Sequence, residues 1–489
     1  MLGRTVKKVR FIEPGNLPYR PSLRNLYTYD KTIRTPSTGL LTLTTIVKGT
    51  IADTLMYSES ISRIRWKDVY CADIVFIGIF TFAANRGYQL AKRIRRYSNA
   101  IVVMGGLHAS MNYSEAVHHC DYVLLNEGDE SILEFIAAVN GTRSLDFPGL
   151  AYQQNDQVIF TGYRPPPADI NTIPKRDLLY NYRKMAGHNT LWPQVHASRG
   201  CPHDCNYCAV VRHFGRKVRK RTPENVVADI RACIDFHDNR LIPRLSRVLW
   251  ITDDNFFADR KWAMSVLEAI IESGIRYRFT VQARYEVGFD DKMLSLLKQA
   301  GFFELAMGIE FIDDHSFEEY NKSCTRADVV KSIRNIQKHG LSVRGLFIAG
   351  ADSDRKGIGD AIADFVISHD INGILIQSMY FIPGTPVYKQ YRNRLIHQDW
   401  SKYNGSVVHY PGQMSPFELQ KEIIHAIRKV YSWKRLWMAI RQKTSIERLL
   451  FVGEFFWQRS VCKTLTKQLP FLNSVSAANS SIRSENGVG

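Results

Sequence analysis

Three cysteines lie close together in the segment RGCPHDCNYC, and their spacing restricts what this chain can be more than any other feature. Cys201, Cys205 and Cys208 form a C-x3-C-x2-C pattern just after a short apolar run. Three thiolates at this spacing suit an iron–sulfur cubane that leaves one iron open to an outside ligand. A closed zinc site completed by His203 or His213 is the alternative, but zinc sites usually use two paired ligand arms and no second arm is present. The pattern therefore predicts a [4Fe-4S] cluster with the three cysteines as metal ligands.

The cysteine pattern, with the aromatic Tyr207 directly before its third cysteine, resembles the radical S-adenosylmethionine (SAM) enzymes. The resemblance implies that SAM chelates the open iron through its amino and carboxylate groups. It also implies that the reduced cluster cleaves SAM to a 5′-deoxyadenosyl radical, with electrons from a donor such as flavodoxin or ferredoxin. The basic run from Arg212 to Arg221 is compatible with binding an anionic ligand, with steering an acidic donor, or with a solvated loop.

Composition is that of a soluble globular protein, with 45% hydrophobic and 23% charged residues in a chain of 489, long enough for two or three domains. No apolar run reaches the roughly 18 residues of a membrane-spanning helix, and the amino end lacks the apolar core of a signal peptide. Eight cysteines without a disulfide framework favour a reducing compartment, so a cytoplasmic location is predicted. The net charge of +18 suits an anionic partner such as a reductase.

Residues 1–140 alternate buried-type strands with helical segments, which predicts an open parallel, Rossmann-like sheet with ligands at the carboxyl ends of its strands. Three of its segments together resemble the cobalamin-binding domain that precedes the radical core in one large SAM subfamily. The resemblance implies cobalamin contacts at these residues: Thr38, Gly105, Gly106, Glu127 and Gly128. The Asp-x-His-x-x-Gly signature that supplies an axial histidine to cobalt is absent. His108 is therefore either an axial ligand or, as favoured, a polar loop histidine.

Residues 141–190 read as a connector with a hairpin, and residues 191–400 contain six strand-then-helix units. The last two strands are predicted at Ser342–Ala349 and Gly373–Ser378. Six such units predict an incomplete (β/α)6 TIM-type barrel, whose site lies at the carboxyl ends of the strands. The cysteine loop follows the first of these strands.

Polar residues and glycines follow several of the predicted barrel strands. Paired carboxylates could accept hydrogen bonds from an ammonium or from ribose hydroxyls, and an arginine suits a carboxylate. Each is equally suited to capping a helix, but their order along the chain resembles the SAM-binding layout of the radical SAM barrel. The resemblance implies SAM contacts at these residues: Asp253, Asp254, Asn255, Gln282, Arg284, Glu310, Gly350, Tyr380 and Pro383.

The carboxyl-terminal part, residues 401–472, is predicted to be helical and mixes aromatic residues with Lys and Arg. This basic amphipathic composition is compatible with peripheral membrane contact or a lipophilic substrate, although packing across the barrel mouth is the favoured explanation. Residues 473–489 are rich in Ser and Asn and are predicted to be disordered.

Taken together, the motifs predict a radical SAM enzyme with a [4Fe-4S] cluster, SAM and cobalamin that methylates an unactivated carbon of a small or lipophilic substrate. One alternative is a radical cyclase or rearrangement enzyme of tetrapyrrole, lipid or natural-product biosynthesis. Another is an enzyme similar to the transfer-RNA methylthiotransferases. Nucleic acid is not the expected partner, because residues 1–140 hold only Cys71 and Cys120 and so lack the cysteines of a second cluster.

Overall fold

The protein is described by a computed structural model that covers residues 3–15, 36–182, 193–237, 248–379, 381–442 and 445–485. A seven-stranded sheet is followed by a six-stranded sheet and then by helices. One continuous hydrophobic cluster contains strands of both sheets, so the two units pack directly against each other.

The first sheet contains five parallel strands and an antiparallel hairpin. Its strands are β1 (Lys8–Glu13), β2 (Asp53–Ser58), β3 (Ile74–Gly78), β4 (Ile101–Gly105), β5 (Tyr122–Leu124), β6 (Leu150–Gln154) and β7 (Gln157–Phe160). Their order is β2-β1-β3-β4-β5-β6-β7. The first four residues of both β3 and β4 are fully or almost fully buried, because helices cover both faces of the sheet. The predicted Rossmann-like sheet is confirmed.

Two features of this sheet differ from the sequence-based prediction. The hairpin of β6 and β7 pairs with β5 and so extends the first sheet, whereas it was predicted to belong to a separate connector. Strand β2 was not predicted, because its sequence DTLMYS has no continuous apolar run. It pairs in parallel with β1 over its whole length. The first structural unit therefore reaches Phe160 rather than ending at residue 140.

Helices connect the strands of the first sheet. They are α1 (Thr38–Lys48), α2 (Trp66–Tyr70), α3 (Ala84–Tyr97), α4 (Leu107–Met111), α5 (Tyr113–Ala116) and α6 (Ser131–Val139). Helix α1 begins where the Ser37 side chain accepts a hydrogen bond from the Leu40 backbone N–H. An N-cap of this kind satisfies one of the free N–H groups of the first turn.

The second sheet is an open barrel of parallel strands. Between residues 193 and 379 the strands are β8 (Gln194–Val195), β9 (Ser198–Arg199), β10 (Arg219–Lys220), β11 (Val248–Ile251), β12 (Arg278–Ala283), β13 (Phe302–Glu310), β14 (Ser342–Ala349) and β15 (Gly373–Ser378). Its order is β15-β14-β13-β12-β11-β8, so each strand lies beside the next one in the chain. Strands β9 and β10 form a separate antiparallel ribbon. The predicted incomplete barrel is confirmed, and β14 and β15 have their predicted bounds.

Helices follow the barrel strands, as expected for repeated strand-then-helix units. They are α7 (Val210–Phe214), α8 (Pro223–His237), α9 (Arg260–Glu272), α10 (Asp291–Gln299), α11 (Asp314–Glu319), α12 (Arg326–Lys338), α13 (Ile358–Ser368) and α14 (Pro386–Tyr391). We call the carboxyl ends of the barrel strands the mouth and their amino ends the floor. The cysteine loop starts at the mouth, after β8 and β9.

The described carboxyl-terminal part consists mainly of helices: α15 (Pro416–Val430), α16 (Trp433–Gln442), α17 (Ser445–Thr466) and α18 (Leu469–Glu485). Helix α17 packs on the floor, where Gln458 donates to the Ile374 carbonyl at 2.7 Å and Glu454 pairs with Arg344 at 3.0 Å. Both partners lie near the starts of β14 and β15, so the prediction that this region covers the mouth is wrong for α17. Among the described residues, no helix is both long and apolar enough to cross a bilayer.

The end of the chain also differs from its prediction, since α18 runs to Glu485 where disorder was expected from Asn473. Leu472 is only 2% exposed, and the Tyr410 hydroxyl donates to the Val475 carbonyl at 2.7 Å. These contacts stabilise the helix, which its Ser- and Asn-rich composition alone does not favour.

Candidate functional site

The cysteine loop is closed at its base by the β9–β10 ribbon. Arg199 lies opposite Arg219 there, and the next residue, Gly200, has a φ of +94°. A Cβ at Gly200 would lie 2.7 Å from the Lys217 carbonyl oxygen, so only glycine fits. The Cys201 N–H donates to the Gly215 carbonyl at 3.4 Å, and this bond joins the first cysteine to the residue that follows α7.

The three thiols are partly buried and lie within electrostatic range of one another. Burial raises the pKa of Cys208 to about 12 and also raises the pKa of Cys201. The Asn255 side-chain amide donates to the Cys201 sulfur at 3.8 Å. Metal binding displaces the proton of a thiol and stabilises the thiolate, so this set of three sulfur donors fits a bound cluster.

The structure places His213, one of the two histidines of the zinc alternative, in a short helix beyond the cysteines. His213 packs in α7 with its ring 4.6 Å from that of Phe214. In the described part of the chain, no three His, Cys, Asp or Glu side chains are grouped so that they could hold one metal ion. A cubane binds each thiolate to a different iron, so the thiols of a cluster loop do not have to meet at a single point.

Tyr207 faces the barrel and not the open side of the loop. Its ring makes edge contacts with Phe311 at 6.3 Å and with Tyr320 at 6.2 Å. The carbonyl of neighbouring Asn206 accepts from the Val387 N–H of α14 at 3.3 Å. These contacts anchor the loop to the barrel, and the predicted contact of Tyr207 with the cofactor stays a prediction.

The three residues after β11 have three different roles. The Asp253 carboxylate is fully buried and accepts from the Ala197 N–H at 2.7 Å and the Ser198 hydroxyl at 2.6 Å. Both carboxylate oxygens of Asp253 thus have donors within the protein, and its predicted contact with a cofactor stays a prediction. Asp254 accepts from the Gly200 N–H at 3.0 Å, and burial raises its pKa to about 6. Asn255 donates to the Cys201 sulfur and is the member of the trio with a hydrogen bond to a cysteine side chain.

Gln282, Arg284 and Glu310 all lie at the mouth, as the sequence predicted. Gln282 is half-buried near the end of β12. Arg284 follows β12, pairs with the exposed Glu286 at 3.0 Å, and lies within electrostatic range of Cys201 and Cys205. Its guanidinium could exchange that exposed partner for a ligand carboxylate.

Glu310 ends β13 in a strained conformation with a φ of +68°, beside an irregularity in the pairing with β14. The buried Lys322 ammonium closes this irregularity. It donates to the Gly308 carbonyl at 2.5 Å and the Ile309 carbonyl at 3.3 Å, and lies 3.7 Å from the Glu310 carboxylate. Left-handed backbone at a non-glycine residue persists only where its surroundings enforce it, and this is common at functional sites. Sequence analysis missed Lys322, since it lies in an ordinary charged stretch 12 residues beyond Glu310.

The remaining predicted SAM contacts lie farther along the mouth. Gly350 has a φ of +109°, and a Cβ there would lie 2.9 Å from Leu419. Its N–H donates to the Asp354 carboxylate at 2.7 Å. Pro383 is buried, and the following Gly384 packs against Met111 of the first unit. Tyr380 lies outside the described residues.

The predicted cobalamin contacts lie at the carboxyl ends of the first sheet. Thr38 is buried at the start of α1, and a Cβ on Gly128 would lie 3.2 Å from Leu43. Gly105 ends β4, and Gly106 follows it with a φ of +88°, where a Cβ would lie 3.0 Å from the Ile79 backbone. These glycines therefore form tight turns at this edge of the sheet.

Glu127 has a different role from the predicted one. Its carboxylate is buried and pairs with Arg199 at 2.7 Å and with Arg219 at 2.6 Å, the two residues at the base of the cysteine loop. Asp129 pairs with Arg199 at 2.9 Å. We call these four residues the interdomain ion-pair cluster. The predicted contact of Glu127 with cobalamin stays a prediction, and the observed ion pairs join the loop after β5 to the base of the cysteine loop.

His108 is neither a free ligand nor a polar loop residue. It is fully buried in α4, with Nε2 3.2 Å from the Tyr88 hydroxyl and its ring 4.9 Å from that of Trp400. The favoured interpretation as a loop histidine is therefore wrong. The contacts also leave no access for a metal at Nε2.

Comparison with known proteins agrees with this geometry. Residues 195–354 match the radical SAM superfamily. The chain is 26% identical to bacteriochlorophyllide d C-12(1)-methyltransferase of Chlorobaculum tepidum over 73% of this chain and 75% of that protein. It is 24% identical to anaerobic magnesium-protoporphyrin IX monomethyl ester cyclase of Cereibacter sphaeroides, over 73% of this chain and 59% of that protein.

A solved structure shows the same fold across both units. The radical SAM methyltransferase TsrM of Kitasatospora setae, solved with cobalamin and a [4Fe-4S] cluster bound, superimposes with a TM-score of 0.67 at 13% identity. The match covers 93% of this chain and 99% of that one. The cysteine loop at the barrel mouth thus lies within residues 195–354, the part of the chain that matches the radical SAM superfamily, whose members use SAM and a [4Fe-4S] cluster.

Proposed function

We propose that the chain is a cobalamin-dependent radical SAM methyltransferase that acts on an unactivated carbon of a small, lipophilic substrate. The observation that carries the proposal is the interdomain ion-pair cluster, which sets the loop after β5 against the base of the cysteine loop. A two-cofactor reaction requires these loops to be adjacent. The relation to a bacteriochlorophyllide methyltransferase supports methyl transfer to a lipophilic tetrapyrrole-like molecule.

The groups implied by this function fit the residues at the mouth. When bound, the cluster with SAM supplies hydrogen abstraction from carbon, and cobalamin supplies the methyl group. Cys201, Cys205 and Cys208 would hold the cluster, and Asn255 would donate its hydrogen bond to the bound Cys201 sulfur. Arg284 suits the SAM carboxylate, since its present partner is exposed.

Glu310 suits an ammonium or ribose hydroxyls, because the bulge at the end of β13 turns it out of the regular strand. Gln282, Gly350 and Pro383 remain proposed SAM-side residues. On the cobalamin side, Thr38, Gly105, Gly106 and Gly128 would shape the loop edge. No protein imidazole is proposed for cobalt, because His108 is enclosed by Tyr88 and Trp400.

Electrons for the cluster would come from a separate acidic donor. Arg212 and Arg216 lie just beyond the third cysteine, with side chains 39% and 62% exposed, and both pair weakly with Asp204. Exposed cations beside a cluster steer an anionic protein by long-range attraction, which is suppressed by salt.

Incubation of the reduced, cobalamin-loaded enzyme with methyl-labelled SAM and tetrapyrrole or lipid candidates tests the proposal. We expect 5′-deoxyadenosine, S-adenosylhomocysteine and a labelled product, because two SAM molecules serve different steps. The triple variant Cys201→Ala, Cys205→Ala, Cys208→Ala should be colourless and form none of them. Cys71→Ala, which alters an exposed thiol elsewhere, should retain iron and activity.

Two outcomes would contradict the proposal at different levels. Deoxyadenosine without label transfer would exclude methyl transfer and favour a radical cyclisation, in line with the relation to the monomethyl ester cyclase. Zinc in place of about four irons per chain in anaerobically purified protein would exclude the cluster itself.

A further inference from the structure

An exposed aromatic surface lies on the carboxyl-terminal helices α16 and α17. It comprises the side chains of Trp433, Trp437 and Ile440 of α16 and Phe456 of α17, and we call it the C-terminal aromatic surface. Trp433 is 61% exposed, Trp437 54% and Phe456 56%. Large hydrophobic side chains gathered at this exposure mark interaction sites more often than chance exposure does.

Packing of α16 on the protein accounts for only part of this exposure, since the Trp433 ring lies 4.8 Å from that of the buried Phe455 and is still 61% exposed. The helix already buries Leu436 and Ala439, which are 7% and 4% exposed. Trp433, Trp437 and Ile440 are spaced i, i+4 and i+7 and therefore share a second face. Helix α16 thus has one apolar face on the protein and another towards solvent.

Cations accompany the aromatic rings. The Arg441 guanidinium lies 3.6 Å from the Trp437 ring centroid, and that of Arg459 lies 4.8 Å from the Trp433 ring. Residues 433–467 contain eight Lys or Arg against two Glu, and one of these, Glu454, is paired with Arg344. The surroundings of the surface are therefore strongly positive.

We propose that the C-terminal aromatic surface docks the protein on an anionic phospholipid bilayer. Tryptophan side chains favour the interface of a bilayer, and basic amphipathic helices lie in its plane with the cations on anionic headgroups. A second copy of this chain is a poorer occupant, because two surfaces of a protein with net charge +18 would repel each other. Helix α17 packs on the barrel floor, so docking there leaves the mouth and the cysteine loop free.

Vesicle flotation with the full-length, cluster-loaded protein tests this surface independently of the catalytic reaction. The probes are vesicles of phosphatidylcholine alone and of phosphatidylcholine with about 30% phosphatidylglycerol. We expect binding to the anionic vesicles, at least about tenfold weaker binding to the neutral ones, and release by salt near 0.5 M. Tryptophan emission should shift to shorter wavelength on binding.

The double variant Trp433→Ser, Trp437→Ser should lose at least about tenfold in vesicle affinity, and Phe456→Ser should lose less. Tyr163→Ser is the matched control, because Tyr163 is also 61% exposed but lies just after β7, away from the carboxyl-terminal helices in the chain. Circular dichroism and thermal melting check that the variants fold. Equal binding by the double variant, or no binding by the wild type, would overturn the proposal. A dimer in sedimentation that the double variant abolishes, without vesicle binding, would assign the surface to a second copy instead.

Discussion

Asp253 is a buried carboxyl group that stabilises the start of the barrel. Its two oxygens accept from Ala197 and Ser198, so it fastens the end of β11 to the segment between β8 and β9. Burial raises its pKa from 3.8 to about 7. A strand-end aspartate in a ligand-binding barrel can thus stabilise the fold.

The raised pKa of Asp253 predicts that stability falls as pH rises. The folded state binds the Asp253 proton more tightly than the unfolded state does. The resulting contribution to the free energy of unfolding is therefore fully present below pH 3.8 and is lost as pH rises through about 7. Each proton bound only in the folded state changes the unfolding free energy by about 1.4 kcal/mol per pH unit. In urea unfolding of the apo-protein, the free energy of unfolding should therefore decrease less between pH 5 and pH 7 in Asp253→Asn than in the wild type.

The control for this measurement is Asp360→Asn. Asp360 is an exposed carboxyl whose pKa is lowered by Lys429 and His425, so its titration lies below the tested window. A slope that stays the same in Asp253→Asn would show that another group causes the pH dependence.

At the scale of single elements, strand β13 has an irregular end at Glu310, one of the proposed SAM-binding residues. It pairs regularly with β12 near its end and then shifts register against β14 between Gly308 and Glu310. The Lys322 ammonium binds the carbonyls exposed by that shift. A buried cation therefore replaces the hydrogen bonds that a regular strand would make, and Lys322 acts as a positioning residue for Glu310.

Lys322→Met should weaken SAM binding while leaving the cysteine loop intact. Methionine keeps the length of the side chain but removes the donor, which leaves two carbonyls unsatisfied at about 1–3 kcal/mol each. We expect SAM affinity to fall by about tenfold or more, as measured by equilibrium binding, with unchanged iron content. Lys331→Met, on the exposed side of α12, should change neither. Unchanged SAM affinity in Lys322→Met would show that the strand holds Glu310 without the lysine.

At the scale of the whole molecule, polar contacts join the first sheet to the barrel and its extension. The interdomain ion-pair cluster lies beside the cysteine loop. Farther away, the Trp400 indole donates to Glu115 at 2.8 Å, and the Asn85 amide donates to Asp399 at 2.8 Å. Geometry between the two ligand-binding loops therefore depends on charges supplied by both units.

Glu127→Gln removes one charge and should strongly lower the free energy of unfolding of the protein. It leaves the buried Arg199 and Arg219 partly unpaired, and breaking a buried pair from one side costs about 3–5 kcal/mol. We expect a lower melting temperature and faster loss of iron to a chelator. Glu130→Gln is the control, because Glu130 pairs with Arg164 with a side chain 55% exposed, where such pairs contribute about 0–1 kcal/mol. Equal stability of the two variants would exclude a structural role for the buried pair.

Local patterns in the sequence were sufficient to predict the cysteine loop, the barrel strands and the parallel first sheet. Strands covered on both faces have continuous apolar runs, so the first and last residues of β14 and β15 could be predicted from the sequence. The three cysteines are neighbours in the chain, so their shared chemistry was also visible there.

Roles that depend on contacts between distant residues emerged only from the tertiary structure. Glu127 and Arg199 are 72 positions apart, and no local pattern shows that their side chains meet. For the same reason the roles of Asp253 and Lys322, the burial of His108 and the addition of the hairpin to the first sheet were missed or misassigned. The order of α18 was missed because its stability comes from Tyr410 and from burial of Leu472, not from its own composition. The sequence by itself thus determines the chemistry of residues that are neighbours in the chain. Which buried charges pair is decided by the tertiary structure, because it brings distant strands and loops together.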